Sequence, residues 1–138
     1  MDTFFGVPAP ALIGQVVIGL INGAFYSLMS LGLAIIFGML HVVNFAHGAQ
    51  YMMGAFVAWG VTEYFGLSYW WALLLAPLIV GLIGLAMERF FLRHLYHLDH
   101  VYALLLTVGM GILIEGLVKF KFGIGGQPYP NPMSGGAD

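Results

Sequence analysis

Cysteine is absent and charge is scarce: only 7% of the 138 residues are Asp, Glu, Lys or Arg. Without thiols there is no disulfide, no Cys-ligated zinc and no iron–sulfur cluster, and cysteine usage gives no reading of the redox compartment. Soluble domains carry about 25% charged residues. A water-facing globule could not cover its surface with so few. The formal net charge is −2 and no basic stripe is present, so no nucleic-acid partner is expected. From Thr3 to Thr62 there is no charged residue at all. The N-terminus, Met1 to Pro8, lacks the basic region of a cleavable signal peptide, so the first span is expected to stay as an anchor.

What fills the chain is apolar. Hydrophobic residues make up 61% of it, and the mean hydropathy is +0.95. A membrane span needs about 20 apolar residues, so the uncharged run holds two passes, or two with a break between them. The reading is an all-α, polytopic transmembrane helical bundle in the lipid bilayer. It is expected to have about four to five membrane segments, including a discontinuous one near residues 32–61.

The stretch from Phe37 to Phe56 organises the rest. It is apolar, yet it carries His41, Asn44, His47, Gln50 and Tyr51. Lipid offers no water to these groups, so each needs a protein partner or a water-lined cavity. Gly38, Gly48 and Gly54 let the backbone bend or pack closely. A broken or re-entrant helix lining a path is one reading, and a plain loop between two spans is the other.

In chain order, Pro8 and Pro10 give an extended lead-in. The first span is expected over 11–31. Gly19, Gly23 and Ser27 recur every four residues and form a ridge for helix packing. Gln15 and Asn22 share one face, pointing into a bundle or along a transport path. Residues 32–40 either extend that span or begin a discontinuous helix completed by 46–61, and the second is preferred. Tyr64, Tyr69, Trp70 and Trp71 fit an interfacial aromatic belt around a turn at Glu63, Gly66 and Ser68. A further span covers about 69–87, with Gly81 and Gly84 as packing positions. The last covers about 101–120. Within it Glu115 precedes Lys119 by four residues, the favourable order for a helical ion pair. Residues 1–122 then form one membrane unit, and 123–138 a Gly- and Pro-rich loop or tail.

No catalytic constellation emerges. His94, His97 and His100 beside Asp99 could hold a transition metal, but their spacing drifts around a helix and no His-Glu-x-x-His occurs. They read as a solvated interfacial face. There is no Gly-x-x-x-x-Gly-Lys-Ser/Thr, so ATP hydrolysis is expected in a separate subunit, and no cofactor is expected. Two competing readings are an intramembrane enzyme using His41 or His47, with Ser27 or Ser30 as partners, and a purely structural membrane subunit.

The run Gly32 to Gly48, with Asn44-Phe-Ala-His-Gly48 as its most specific piece, resembles the LivH-type permease of branched-chain amino acid ABC transporters. Tyr51-Met-Met-Gly-Ala55, Asn22 to Leu28, Glu88-Arg-Phe90 and Thr107 to Leu113 fit the same pattern. The resemblance covers about residues 13–122, the N-terminal half of a family member. It implies a bacterial inner-membrane importer and a chain that is a fragment of a longer permease. Its partners would be a LivM-like second permease, two cytoplasmic ATP-binding subunits and a periplasmic amino-acid-binding protein. Its substrates would be leucine, isoleucine and valine, with urea or short amides as the alternative. The candidate path residues are Asn22, Asn44, His47, Gly48, Gln50 and Tyr51. Gly19, Gly23 and Ser27 are the candidate packing residues.

Arg89 and Arg93 put the polar stretch Glu88 to His100 on the cytoplasmic side by the positive-inside rule, and Lys119 and Lys121 at the far end of the next span oppose that orientation. A Leu95→Cys variant should therefore resist membrane-impermeant maleimide added from the periplasm and react once the membrane is opened.

Overall fold

A computed structural model describes residues 3–4 and 6–129. Two compact units divide the chain, Met1–His41 and Val42–Asp138.

The first unit begins with a two-residue hairpin. Strand β1 (Thr3–Phe4) pairs antiparallel with β2 (Val7–Pro8), in the register Thr3 to Pro8 and Phe4 to Val7. Gly6 turns between them with φ +80°, a conformation that costs glycine little. Helix α1 (Ala9–Leu40) follows at once. Pro10 lies in its first turn, where a missing N–H is not needed. It starts the helix instead of leading into it.

Helix α1 runs unbroken for 32 residues, about 48 Å at 1.5 Å per residue. This corrects the preferred reading of 32–40, which extends the first span and is not half of a second helix. The reason is energetic. A glycine such as Gly32 or Gly38 costs a helix only about 1 kcal/mol. Opening a backbone hydrogen bond in lipid costs several. The helix therefore persists through its glycines and ends at His41. There φ is +55° and the N–H still reaches Phe37 O at 2.8 Å.

The second unit holds three helices. These are α2 (His47–Phe65), α3 (Tyr69–Phe90) and α4 (His100–Phe122), with a 3-10 turn at Leu92–His94. A non-helical segment, 42–46, precedes α2. The discontinuity expected within 32–61 is thus the non-helical connection 41–46 between α1 and α2. Helix α2 ends on Gly66, with φ +61°. Ser68, in extended backbone, starts α3 among the aromatics Tyr69, Trp70 and Trp71. Asp99 opens α4, its Oδ1 accepting the Val101 N–H at 3.5 Å.

Helix α3 packs along α2 through its smallest side chains. Ala72 and Ala76 are buried, Val80 lies against Gly54, and Gly84 lies against Gln50. Four small or slender residues at four-residue spacing make one ridge, the geometry that brings helices close where lipid removes the hydrophobic drive. Gly81 is off this ridge and a Cβ there would meet nothing within 4 Å. Below the ridge Val42, Leu92 and Ala103 form a small core, with Leu106 against it.

Helix α1, the stretch Tyr69–His94 and helix α4 are long and apolar enough to cross a membrane. The expected four to five segments thus become four helices among the described residues, three of them of this kind. Most large apolar side chains on these helices are exposed, Leu20 at 75% and Trp70 at 75% among them. A surface of that kind suits lipid and not water. The chain is a polytopic helical membrane protein.

Ala103 is 2% exposed between Val42 and Leu92. Ala103→Leu should overpack this core and lower stability by about 1–3 kcal/mol, read as an earlier thermal unfolding midpoint in detergent. Leu105→Ala, at an exposed position of the same helix, should shift it far less.

Candidate functional site

The site is built on the break before α2. Val42, Asn44 and Ala46 are buried, with Ala46 fully so. A buried non-helical segment must find partners for its backbone polar groups. Here the segment's own side chain supplies the first. Asn44 Oδ1 accepts the Ala46 N–H at 3.0 Å, and Asn44 O accepts the His47 N–H at 3.1 Å. This is the local turn that Asn side chains favour. It delivers the chain into α2, where the Gln50 N–H closes on Ala46 O at 2.9 Å.

The same Asn44 amide continues outward. Its Nδ2 donates to Gln50 Oε1 at 3.4 Å, and Gln50 Nε2 donates to Met87 Sδ at 3.3 Å. Asn44, Gln50 and Met87 thus form a chain of side chains from the break, through α2, to α3. Gly84 lies beside it, where a Cβ would just touch Gln50 Nε2 at 3.5 Å. Helix α4 holds the segment from the other side. The Phe45 N–H donates to Thr107 Oγ1 at 3.3 Å.

Met87 is in the last turn of α3, directly before Glu88 and Arg89, so the break sits at the end of the unit that carries the polar connection 88–100. At that end partial burial, and then the Glu88 carboxylate with its hydrogen bond, push the Tyr96 hydroxyl above the usual phenol range.

The structure brings Asn44 and Gln50 together, and their amides face protein. His47 is half-buried at the first position of α2, and Tyr51 is exposed one residue beyond Gln50. Asn22 belongs to the first unit and is exposed there. Gly48 is not the point of close backbone approach, because a Cβ on it would meet nothing within 4 Å. That role falls to Gly111 on α4, where a Cβ would lie 3.5 Å from Ala46 Cα. Within their own unit Gly19 and Gly23 likewise face open space, and Ser27 gives its hydroxyl to Gly23 O at 2.8 Å. The Glu115–Lys119 pair is present at 2.6 Å.

Thr107 and Gly111 were missed as site residues. The signal was a hydroxyl and a glycine one turn apart inside an apolar span, which is legible only once their neighbour is known. Also unforeseen is a cavity of about 400 Å³ between α2 and the segment after α4, lined by Phe56, Trp59, Gln127 and Tyr129 among others. None of its lining residues is charged, and Gln127 and Tyr129 supply its polar side chains. Among the described residues no group of three His, Asp or Glu is placed to hold a metal ion.

Residues 15–138 match the family described as "Branched-chain amino acid transport system / permease component". The chain belongs to this family. Among curated proteins it is similar to the high-affinity branched-chain amino acid transport system permease protein LivH of Salmonella typhimurium, at 27% identity over 125 residues, and to LivH of Escherichia coli K12, at 26%. It is also similar to the corresponding permease protein BraD of Pseudomonas aeruginosa, at 31% over 115 residues. The matches cover 85%, 85% and 78% of this chain but only 41%, 41% and 38% of those proteins. The chain thus spans about two fifths of the length of the curated relatives it matches. No solved structure matches it.

Asn44→Ala removes both the turn acceptor and the link to Gln50, leaving the buried Ala46 N–H without its partner. It should cost about 1–3 kcal/mol. The expected readout is a lower unfolding midpoint in detergent together with faster deuterium exchange at residues 44–50.

Proposed function

We propose that the chain is part of the permease subunit of an ATP-driven importer for branched-chain amino acids in the bacterial inner membrane, and that the break at 41–46 with its Asn44–Gln50 pair lies on the translocation path. The observation that carries this is a polar, buried helix break inside a chain of the branched-chain amino acid permease family. Non-helical backbone in a membrane is tolerated where it is held by protein or lines a cavity, and transporters use such breaks at their substrate routes. A path with sparse amides and apolar walls suits leucine, isoleucine or valine, whose charged ends need brief hydrogen bonds while the side chain meets apolar surface. Urea or short amides are the alternative substrates.

In this reading the energy comes from two cytoplasmic ATP-binding subunits. A LivM-like second permease completes the path, and a periplasmic binding protein delivers the substrate. The residues proposed for the path are Asn44, His47 and Gln50, with Gly48 and Tyr51 as its extension; Asn22 is proposed as a path residue of the first unit by itself. The match with transport permeases supports a transporter component over an enzyme. The Ser27 hydroxyl, committed to its own helix, further weakens a serine–histidine reading.

The test is ATP-driven uptake of labelled leucine into proteoliposomes holding the full-length protein and its partners. His47→Ala should abolish uptake while the protein still inserts and assembles. Uptake that survives this substitution, or that prefers urea over leucine, would count against the reading.

A further inference from the structure

Thr107 stands about two turns into α4 and is fully buried. Its hydroxyl gives its proton to Leu104 O at 3.0 Å and accepts the Phe45 N–H at 3.3 Å. One turn later comes Gly111, where a Cβ would lie 3.5 Å from Ala46 Cα and 3.6 Å from Phe45 O. Two successive turns of α4 therefore meet the same two residues of the break. One supplies a hydrogen bond and the other a backbone close enough that even a Cβ would touch them. The Phe45 side chain is 54% exposed, so its backbone is what α4 holds. Phe45 and Ala46 follow Asn44 directly, and the Ala46 N–H is the donor that orients the Asn44 amide toward Gln50.

We propose that Thr107 and Gly111 are positioning residues of the translocation path: they seat the break on α4 and thereby aim the Asn44 and Gln50 amides. The proposal rests on the permease reading above. Neither residue touches substrate. Their effect passes through the backbone of Phe45 and Ala46. A threonine placed only to fill space would serve as well if replaced by valine, which has nearly its shape, while a seat needs the hydroxyl. Likewise a Cβ on Gly111 would just touch Ala46 Cα at 3.5 Å, so a small side chain fits there but a β-branched one such as isoleucine must push Ala46 away, whereas Gly109 faces open space.

The absence of cysteine in this chain allows a direct test in the full-length protein with its partner subunits. The double variant Ala46→Cys with Gly111→Cys should form a disulfide under mild oxidant, because a Cβ on Gly111 would lie 3.5 Å from Ala46 Cα, which puts the two Cα atoms no more than about 5 Å apart, inside the span a disulfide bridges. Adding Thr107→Val should lower the crosslink yield, and Thr107→Ser should restore it. In the cysteine-free background Thr107→Val should lower leucine uptake about tenfold, the size expected for one buried hydrogen bond left unmade. Thr107→Ser should recover most of it. Gly111→Ile should lower uptake where Gly109→Ile does not, a comparison that still decides the matter if Thr107→Val fails to insert. A crosslink that does not form, a yield indifferent to Thr107→Val, or equal effects at Gly109 and Gly111 would each overturn the seat. Crosslinking needs no transport. Failure of the unsubstituted protein to take up leucine would therefore sink the permease reading while leaving the seat to be judged by the disulfide.

Discussion

In lipid a backbone polar group has no water to turn to, and the form of this chain follows from that constraint. It keeps α1 helical through its glycines and carries the helix on to His41. It also dictates where the helix can stop. The chain leaves helical geometry just where Asn44 can supply an acceptor to the Ala46 N–H and where Thr107, on another helix, can supply one to the Phe45 N–H.

The rest of the second unit serves the packing that makes this break affordable. Helix α3 comes close to α2 along Ala72, Ala76, Val80 and Gly84, and that closeness brings Met87 within reach of the Gln50 amide. Helix α4 approaches through Gly111. Small residues let the backbones meet, and the polar side chains then bridge them. The two devices depend on each other, since the loop-to-helix hydrogen bonds of 3.3–3.4 Å form only where the backbones come close.

Much of this was legible in the residues. The near absence of charge settles the membrane class, and the glycine-flanked polar stretch marks the break and two side chains that hydrogen-bond there, Asn44 and Gln50. The Glu115–Lys119 pair is readable from its spacing alone. What could not be read was which glycines are the close ones. Gly48 and Gly81 look like packing positions in the sequence as much as Gly84 and Gly111 do, but the first two face open space. The start of the break was misjudged for a similar reason. Residues 32–40 have no feature that separates a helix continuing past Gly32 from one beginning there.

Composition, the long uncharged run and the spacing of polar groups by themselves determined that the chain is a helical membrane protein interrupted near His41 to Ala46. These are one-dimensional properties, because burial in lipid is a demand placed on each residue and its near neighbours. The assignment of Thr107 and Gly111 to Phe45 and Ala46 was decided by tertiary structure alone. These partners lie more than sixty residues apart. No local preference of a threonine or a glycine in an apolar helix says what will be laid against it, and only the packing of α2, α3 and α4 into one unit does.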